Sequence, residues 1–205
     1  MADSDAESSP QAASYRVIGV FYLIAGTILA LDQATKLLAL STLRIGHETS
    51  VLGSLISLSL RHNYGAAWGL LAGHTRWLTW VAVVLVVLLL ASGRWAPRMA
   101  GYLRTGLPLL LGGALGNLTD RLRFGYVIDF IDLHFWPVFN LADIAIVVAA
   151  AIICYHVISE ERAGAHRTTN GREASTNGRE ASTDGHGASS NGREASTEDH
   201  QCDQY

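Results

Sequence analysis

Two aspartates fourteen residues apart are the side chains here best suited to chemistry: Asp129 in YVIDFID and Asp143 in FNLADIAIVV. Asp129 sits among β-branched and aromatic neighbours, and Asp143 heads a mostly apolar run that continues to Ile158. Ionisable groups at membrane depth are costly, which makes both functional candidates. Two carboxyls within hydrogen-bonding distance cannot both ionise easily, so they share a proton. One is then a base for water and the other an acid for a carbonyl oxygen. That suffices to hydrolyse a peptide without a metal or a covalent intermediate. Spacing alone does not bring the pair together, and each has a plainer reading. Asn140-x-x-Asp143 is also the spacing of an N-cap and its N3 acid. Asp129 also reads as an exposed strand residue.

The remaining polar residues have structural explanations of their own. Asp32 and Lys36 stand at i, i+4, the spacing of an ion pair on a helix. Asp120 adjoins Arg121, and Asn117 shares their helical face, while Asp132 reads as solvent-facing. Gly112-x-x-x-Gly116 lets a helix pack closely on a neighbour. His134 is the only histidine near the two aspartates, too little for a metal site, and no cofactor is expected.

Positioning these groups falls to four apolar runs, Val17–Leu31, Trp77–Ser92, Gly106–Leu118 and Leu141–Ile158. Each is shorter than the roughly 20 residues of a comfortable span. Interfacial Trp77, Trp80, Trp95, Tyr102 and Tyr155 and snorkelling Arg16, Arg94 and Arg104 lengthen them. TWVAVVLVVLLLA has no polar face, which favours lipid over a soluble bundle. The expected fold is a mainly α membrane protein with four transmembrane helices. Chain order then puts Asp32, Lys36, the HNYGAAWG stretch, Asn117, Asp129, Asn140 and Asp143 at one membrane face. Alternation in LISLSLRHN and FGYVIDFID predicts two strands of a small sheet on that same face.

Three segments follow from composition: a polar, mobile start (1–14), a four-span domain (15–161) and a disordered tail (162–205). The tail repeats NGREAST and offers nothing large and apolar to bury. The net charge of −3 suggests no nucleic-acid partner. Basic residues near the span ends tie, six against six. Arg16, Arg94, Arg98, Arg104, Arg162 and Arg167 face Lys36, Arg44, Arg61, Arg76, Arg121 and Arg123. The short loop Gly93–Thr105 is the densest cluster, which predicts cytoplasmic termini and an extracytoplasmic polar face.

DQATK (32–36), NYGAAWG (63–69), GGALGNLTDR (112–121), YVIDF (126–130) and PVFNLAD (137–143) together resemble the lipoprotein signal peptidase (signal peptidase II) family. The blocks occur in the family's order between about Tyr15 and Glu161, with Trp68 where the family often has Phe. The resemblance implies an aspartyl endopeptidase of the bacterial inner membrane, four-spanning and monomeric, with an extracytoplasmic β-cradle. Its partners would be membrane lipid and diacylglyceryl-modified prolipoproteins, cut before the lipidated cysteine. It also implies that Asp129 and Asp143 are catalytic, supported by Asp32, Lys36, Asn63, Gly65, Asn117, Arg121 and Asn140. A transporter would place polar groups nearer mid-membrane. Presenilin-like and prepilin-type proteases would show GxGD, absent before both acids.

Overall fold

Residues 10–53, 55–65 and 75–160 are described by the computed structural model. The first nine residues, most of the NYGAAWG stretch with Trp68, and the repeat tail lie outside them. One compact unit, Met1–Val157, carries the fold; of the second, Ile158–Tyr205, only the end of a helix is described.

Helix α1 (Pro10–Thr42) outruns its apolar stretch at both ends. The polar start expected to be mobile is therefore helical from Pro10, a residue suited to the first helical position because its missing N–H is not needed there. A hairpin follows, β1 (Glu48–Leu52) and β2 (Ile56–Asn63), then α2 (Thr75–Ser92). A 3-10 turn (Gly93–Arg98) leads into α3 (Gly101–Phe124), β3 (Val127–Asp132) and α4 (Leu141–Glu160). The helices run alternately toward and away from the sheet. Gly125, in the left-handed region at φ 79°, stops α3 and lets its N–H reach Arg121 O at 3.0 Å.

Three helical stretches, Pro10–Thr42, Thr75–Arg98 and Leu141–Glu160, are long and apolar enough to cross a membrane. The fourth helix, α3, has 24 residues, about 36 Å at the helical rise, but carries Asn117, Asp120, Arg121 and Arg123. Its partners compensate. A Cβ on Gly112 would lie 2.7 Å from Ala25 O of α1, and one on Gly113 2.5 Å from Ala142 O of α4. A Cβ on Gly116 would strike the Asp32 carboxylate. The expected close packing of the glycine face is thus toward two helices at once. Between α1, α2 and α3 lies an apolar core of Phe21, Ala25, Val86, Leu89, Leu111 and Leu118. Trp77, Trp80, Val84, Val87 and Leu88 of α2 stay exposed, as a lipid-facing surface requires.

Both expected strands form, joined by β1, whose ETSVL lacks a buried position and gives no alternation signal. The sheet is antiparallel, in the order β1-β2-β3. β2 buries Ser57, Ser59 and Leu60 while Ile56 and Leu58 stay half-exposed. β3 is buried along most of its length, Asp132 included, which corrects the solvent-facing reading of that residue. Asp132 instead accepts a hydrogen bond from His134 N at 2.8 Å, holding the turn after the strand.

Candidate active site

Strand β3 and the start of α4 meet because Ile131 and Phe139 exchange backbone hydrogen bonds of 2.9 and 3.0 Å. That bridge sets Asn140 beside Asp129, whose Oδ1 accepts from Asn140 Nδ2 at 2.7 Å. The register between β2 and β3 brings Asn63 to the other side, and its Nδ2 donates to Asp129 Oδ2 at 2.9 Å.

Asn140 is also the residue preceding α4, and it closes a reciprocal cap. Its Oδ1 accepts from Asp143 N at 3.0 Å, while Asp143 Oδ2 accepts from Asn140 N at 3.2 Å. The capping reading of Asp143 therefore holds. The same asparagine reaches Asp129, so capping and proximity to the second acid coexist. Asn117 Nδ2 completes the set, donating to Asp143 Oδ1 at 2.7 Å.

The amide of Asn117 has a fixed sense. Its Oδ1 accepts from Lys36 Nζ and from Asn140 Nδ2, both at 3.1 Å, which leaves its NH₂ facing Asp143. Lys36 Nζ lies 2.8 Å from both Asp32 Oδ2 and Asp120 Oδ2. This corrects the expected pairing of Asp120 with Arg121. The salt partner of Asp120 is Lys36, because α1 packs on that face of α3. Asp32 and Asp120 also accept from backbone, Ala142 N at 2.9 Å and Ile128 N at 3.1 Å. The ion triad thus grips the first turn of α4 and the start of β3, the two elements carrying Asp143 and Asp129. Gln33, which the sequence reading passed over, donates to both triad carboxylates and to Gly116 O. Its only sequence signal is its place between Asp32 and Lys36.

Burial pushes the Asp129 carboxyl up to about 7, and the Asp143 carboxylate beside it acts in the same sense. The amides of Asn63 and Asn140 and the Lys36 charge oppose the rise. Asp129 is 2% exposed, whereas Asp143 is partly open and lines a cavity of about 410 Å³. Asn63, Gly65, Asn117 and Arg121 share that lining, and Leu78, Val81 and Leu85 of α2 and Val147 of α4 add apolar wall. Gly65 N donates to Asn63 Oδ1 at 3.0 Å, and Arg121 reaches Gly65 O at 3.4 Å. All nine candidate site residues thus gather at one end of the bundle, in two joined clusters.

A helical membrane protein with a small sheet and paired acids at one end defines a class, that of a multi-pass membrane enzyme. Comparison with known proteins makes the assignment narrower. The family model described as signal peptidase (SPase) II matches residues 24–159, and the chain belongs to that family. A lipoprotein signal peptidase of Moorella thermoacetica is 47% identical over 138 residues, 67% of this chain and 92% of the relative. One from Halothermothrix orenii is 37% identical over 143 residues, 70% of this chain and 98% of that one. A structure described as a bacterial membrane enzyme solved by the in meso method at 2.3 Å superposes with a TM-score of 0.65 and 28% identity. It covers 70% of this chain and 90% of its own. The protein is accordingly a multi-pass bacterial membrane peptidase that removes signal peptides from prolipoproteins.

Proposed function

We propose that this peptidase is an aspartyl enzyme working at the membrane edge, with Asp143 as base and Asp129 as acid. The observation that carries the reading is the bridge made by one residue. Asn140 binds Asp129 through its side chain and Asp143 through its backbone. The groups in that set of bonds are uncharged amides, and a proton shared by the two carboxyls is the natural means of relieving their repulsion.

Asp143 lines the cavity and takes a proton from water as the water oxygen bonds to the scissile carbonyl carbon. Buried Asp129, protonated near neutrality, gives its proton to the carbonyl oxygen. The tetrahedral diol then collapses. The C–N bond breaks, the nitrogen takes the proton held on Asp143, and a diol hydroxyl returns one to Asp129. Asn63 and Asn117 orient the carboxyls; Asp32, Lys36 and Asp120 hold the elements that carry them.

The apolar wall beside Asp143 suits the acyl chains of a diacylglyceryl cysteine, each buried CH₂ contributing about 0.8 kcal/mol. Binding them fixes the scissile bond at the acids and raises the local concentration of reacting groups. The arginine-rich loop after α2 supports cytoplasmic termini and an extracytoplasmic active end; the same reading takes the working unit as a monomer with residues 15–161 as its catalytic part. The test is incubation of the purified protein with a diacylglyceryl-modified prolipoprotein and with the same chain carrying an unmodified cysteine. Cleavage of the first and little or none of the second is expected. Equal rates would sink the lipid-directed reading.

A further inference from the structure

At the end of the bundle away from the aspartates, α1 and α3 enclose a groove of about 300 Å³. Val17, Val20 and Ile24 form its apolar wall, and Arg16, Arg104 and Thr105 supply its polar groups. We propose that this groove binds an anionic glycerophospholipid, acyl chain along α1 and headgroup phosphate between the two arginines.

The shape follows the ligand. Val17 to Ile24 covers two helical turns, about 10 Å at the helical rise, enough for the upper part of an acyl chain. Arg16 lies just outward of that wall, and Arg104 is in the first turn of α3. The described lining brings two guanidinium groups, of Arg16 and Arg104, to one groove. A guanidinium donates to a phosphate through a planar fork, a geometry an ammonium cannot supply. The start of α3 adds the positive end of its dipole, with no side-chain cap at Ala100.

A second groove, of about 280 Å³, repeats the chemistry beside the 3-10 turn, with Ser14 and Ile18 of α1 against Arg94, Trp95 and Arg98. There the Arg94 guanidinium lies 3.8 Å from the centre of the Trp95 ring, and Trp95 is a residue suited to headgroup depth. Basic pockets of this kind between membrane helices hold phosphate headgroups. A net-negative lipid is favoured over a zwitterionic one, whose own ammonium competes with the arginines for its phosphate.

Along α1, sixteen residues separate Arg16 from Asp32, about 24 Å, so a lipid held here does not touch the aspartates. The proposal therefore stands whichever residues cut the peptide.

The experiment uses the full chain in neutral detergent with equimolar phosphatidylglycerol and phosphatidylcholine, reading retained lipid by native mass spectrometry. Phosphatidylglycerol should be retained roughly tenfold over phosphatidylcholine. Arg16→Gln with Arg104→Gln should bring the ratio near parity while prolipoprotein cleavage in detergent stays unchanged. Arg44→Gln with Arg76→Gln, at the opposite end, should leave the ratio intact. Val20→Trp keeps both charges but fills the groove from a position 53% exposed, and should also lower retention. Parity in the unmodified protein, or undiminished preference in either groove variant, would overturn the site. Equal loss in the distal control would reduce it to general charge attraction and overturn it too. Displacement of the lipid by an equal concentration of glycerol phosphate would overturn the membrane source of the ligand.

Discussion

Two pairs of acids, three of the four residues buried, sit within one end of this molecule, and their charge is handled in opposite ways. Asp32 and Asp120 have Lys36 between them, 2.8 Å from each. Asp129 and Asp143 are hydrogen-bonded instead by the amides of Asn63, Asn117 and Asn140, and the Lys36 charge acts on Asp129 without direct contact. An ammonium can hold two carboxylates ionised in a buried place; an amide lowers their cost without supplying charge. The first pair is thus suited to holding elements together, and the second to taking up and releasing a proton. Both clusters join carboxylates to amides, and direct contact with Lys36 separates the ion triad from the proposed reacting pair.

The sharpest way to break the comparison is to neutralise the acids one at a time. Asp129→Asn and Asp143→Asn should each cut prolipoprotein cleavage at least about a thousandfold, the scale of an essential acid or base. Both variants should remain folded and inserted, and the double variant should be little worse than either single one, because the pair works as a unit. Robust turnover by a single variant would show that the amide-held pair is not the reacting one.

Lys36→Met attacks the other cluster. Removing one partner of a buried ion pair costs about 3–5 kcal/mol, so a large fall in Tm is expected. Asp32→Asn and Asp120→Asn each leave Lys36 one carboxylate, and should give smaller falls in Tm with graded loss of activity. A fully stable Asp120→Asn variant with no activity would move Asp120 into the chemistry.

A subtler difference should appear in pH. The proposed acid works only while protonated, so kcat/KM should fall as pH rises through an apparent value near 7, set by burial of Asp129 and the adjacent Asp143. Stability carries the same sign. Asp129 holds its proton more tightly folded than unfolded, so its contribution declines as pH climbs from about 4 to about 7. Asn63→Ala removes a donor that favours the ionised form, and should shift the basic limb upward. A limb that moves down, or stays fixed, would detach it from Asp129.

Much of this was legible in the sequence, for identifiable reasons. The four apolar runs mark all four helices, and chain order alone puts the polar motifs at one end. Strands β2 and β3 show by alternation, but β1 does not, since all its residues are exposed. Sequence displays local pairs, so it sets Asp120 beside its neighbour Arg121. Its salt partner lies 84 positions away, across a helix packing that only the glycines foreshadow. Asp132 looked solvent-facing because nothing local signals that both faces of β3 are covered.

The glycine face of α3 also bears on how the protein is made. A nascent helix bearing Asp120, Arg121 and Arg123 is a poor client for lipid alone, because each charge at depth opposes its partition from the translocon. Its residence in the bilayer must be underwritten by neighbours that are already synthesised or about to be. Ala25 and Ile28 of α1 are available when α3 emerges, whereas Ala142 and Ile146 of α4 come later. Order of synthesis therefore lets α3 dock on α1 first, with α4 closing the other side of the glycine seam on arrival. The two aspartates become neighbours only at that last step, so the ribosome has finished the bundle before the peptidase exists.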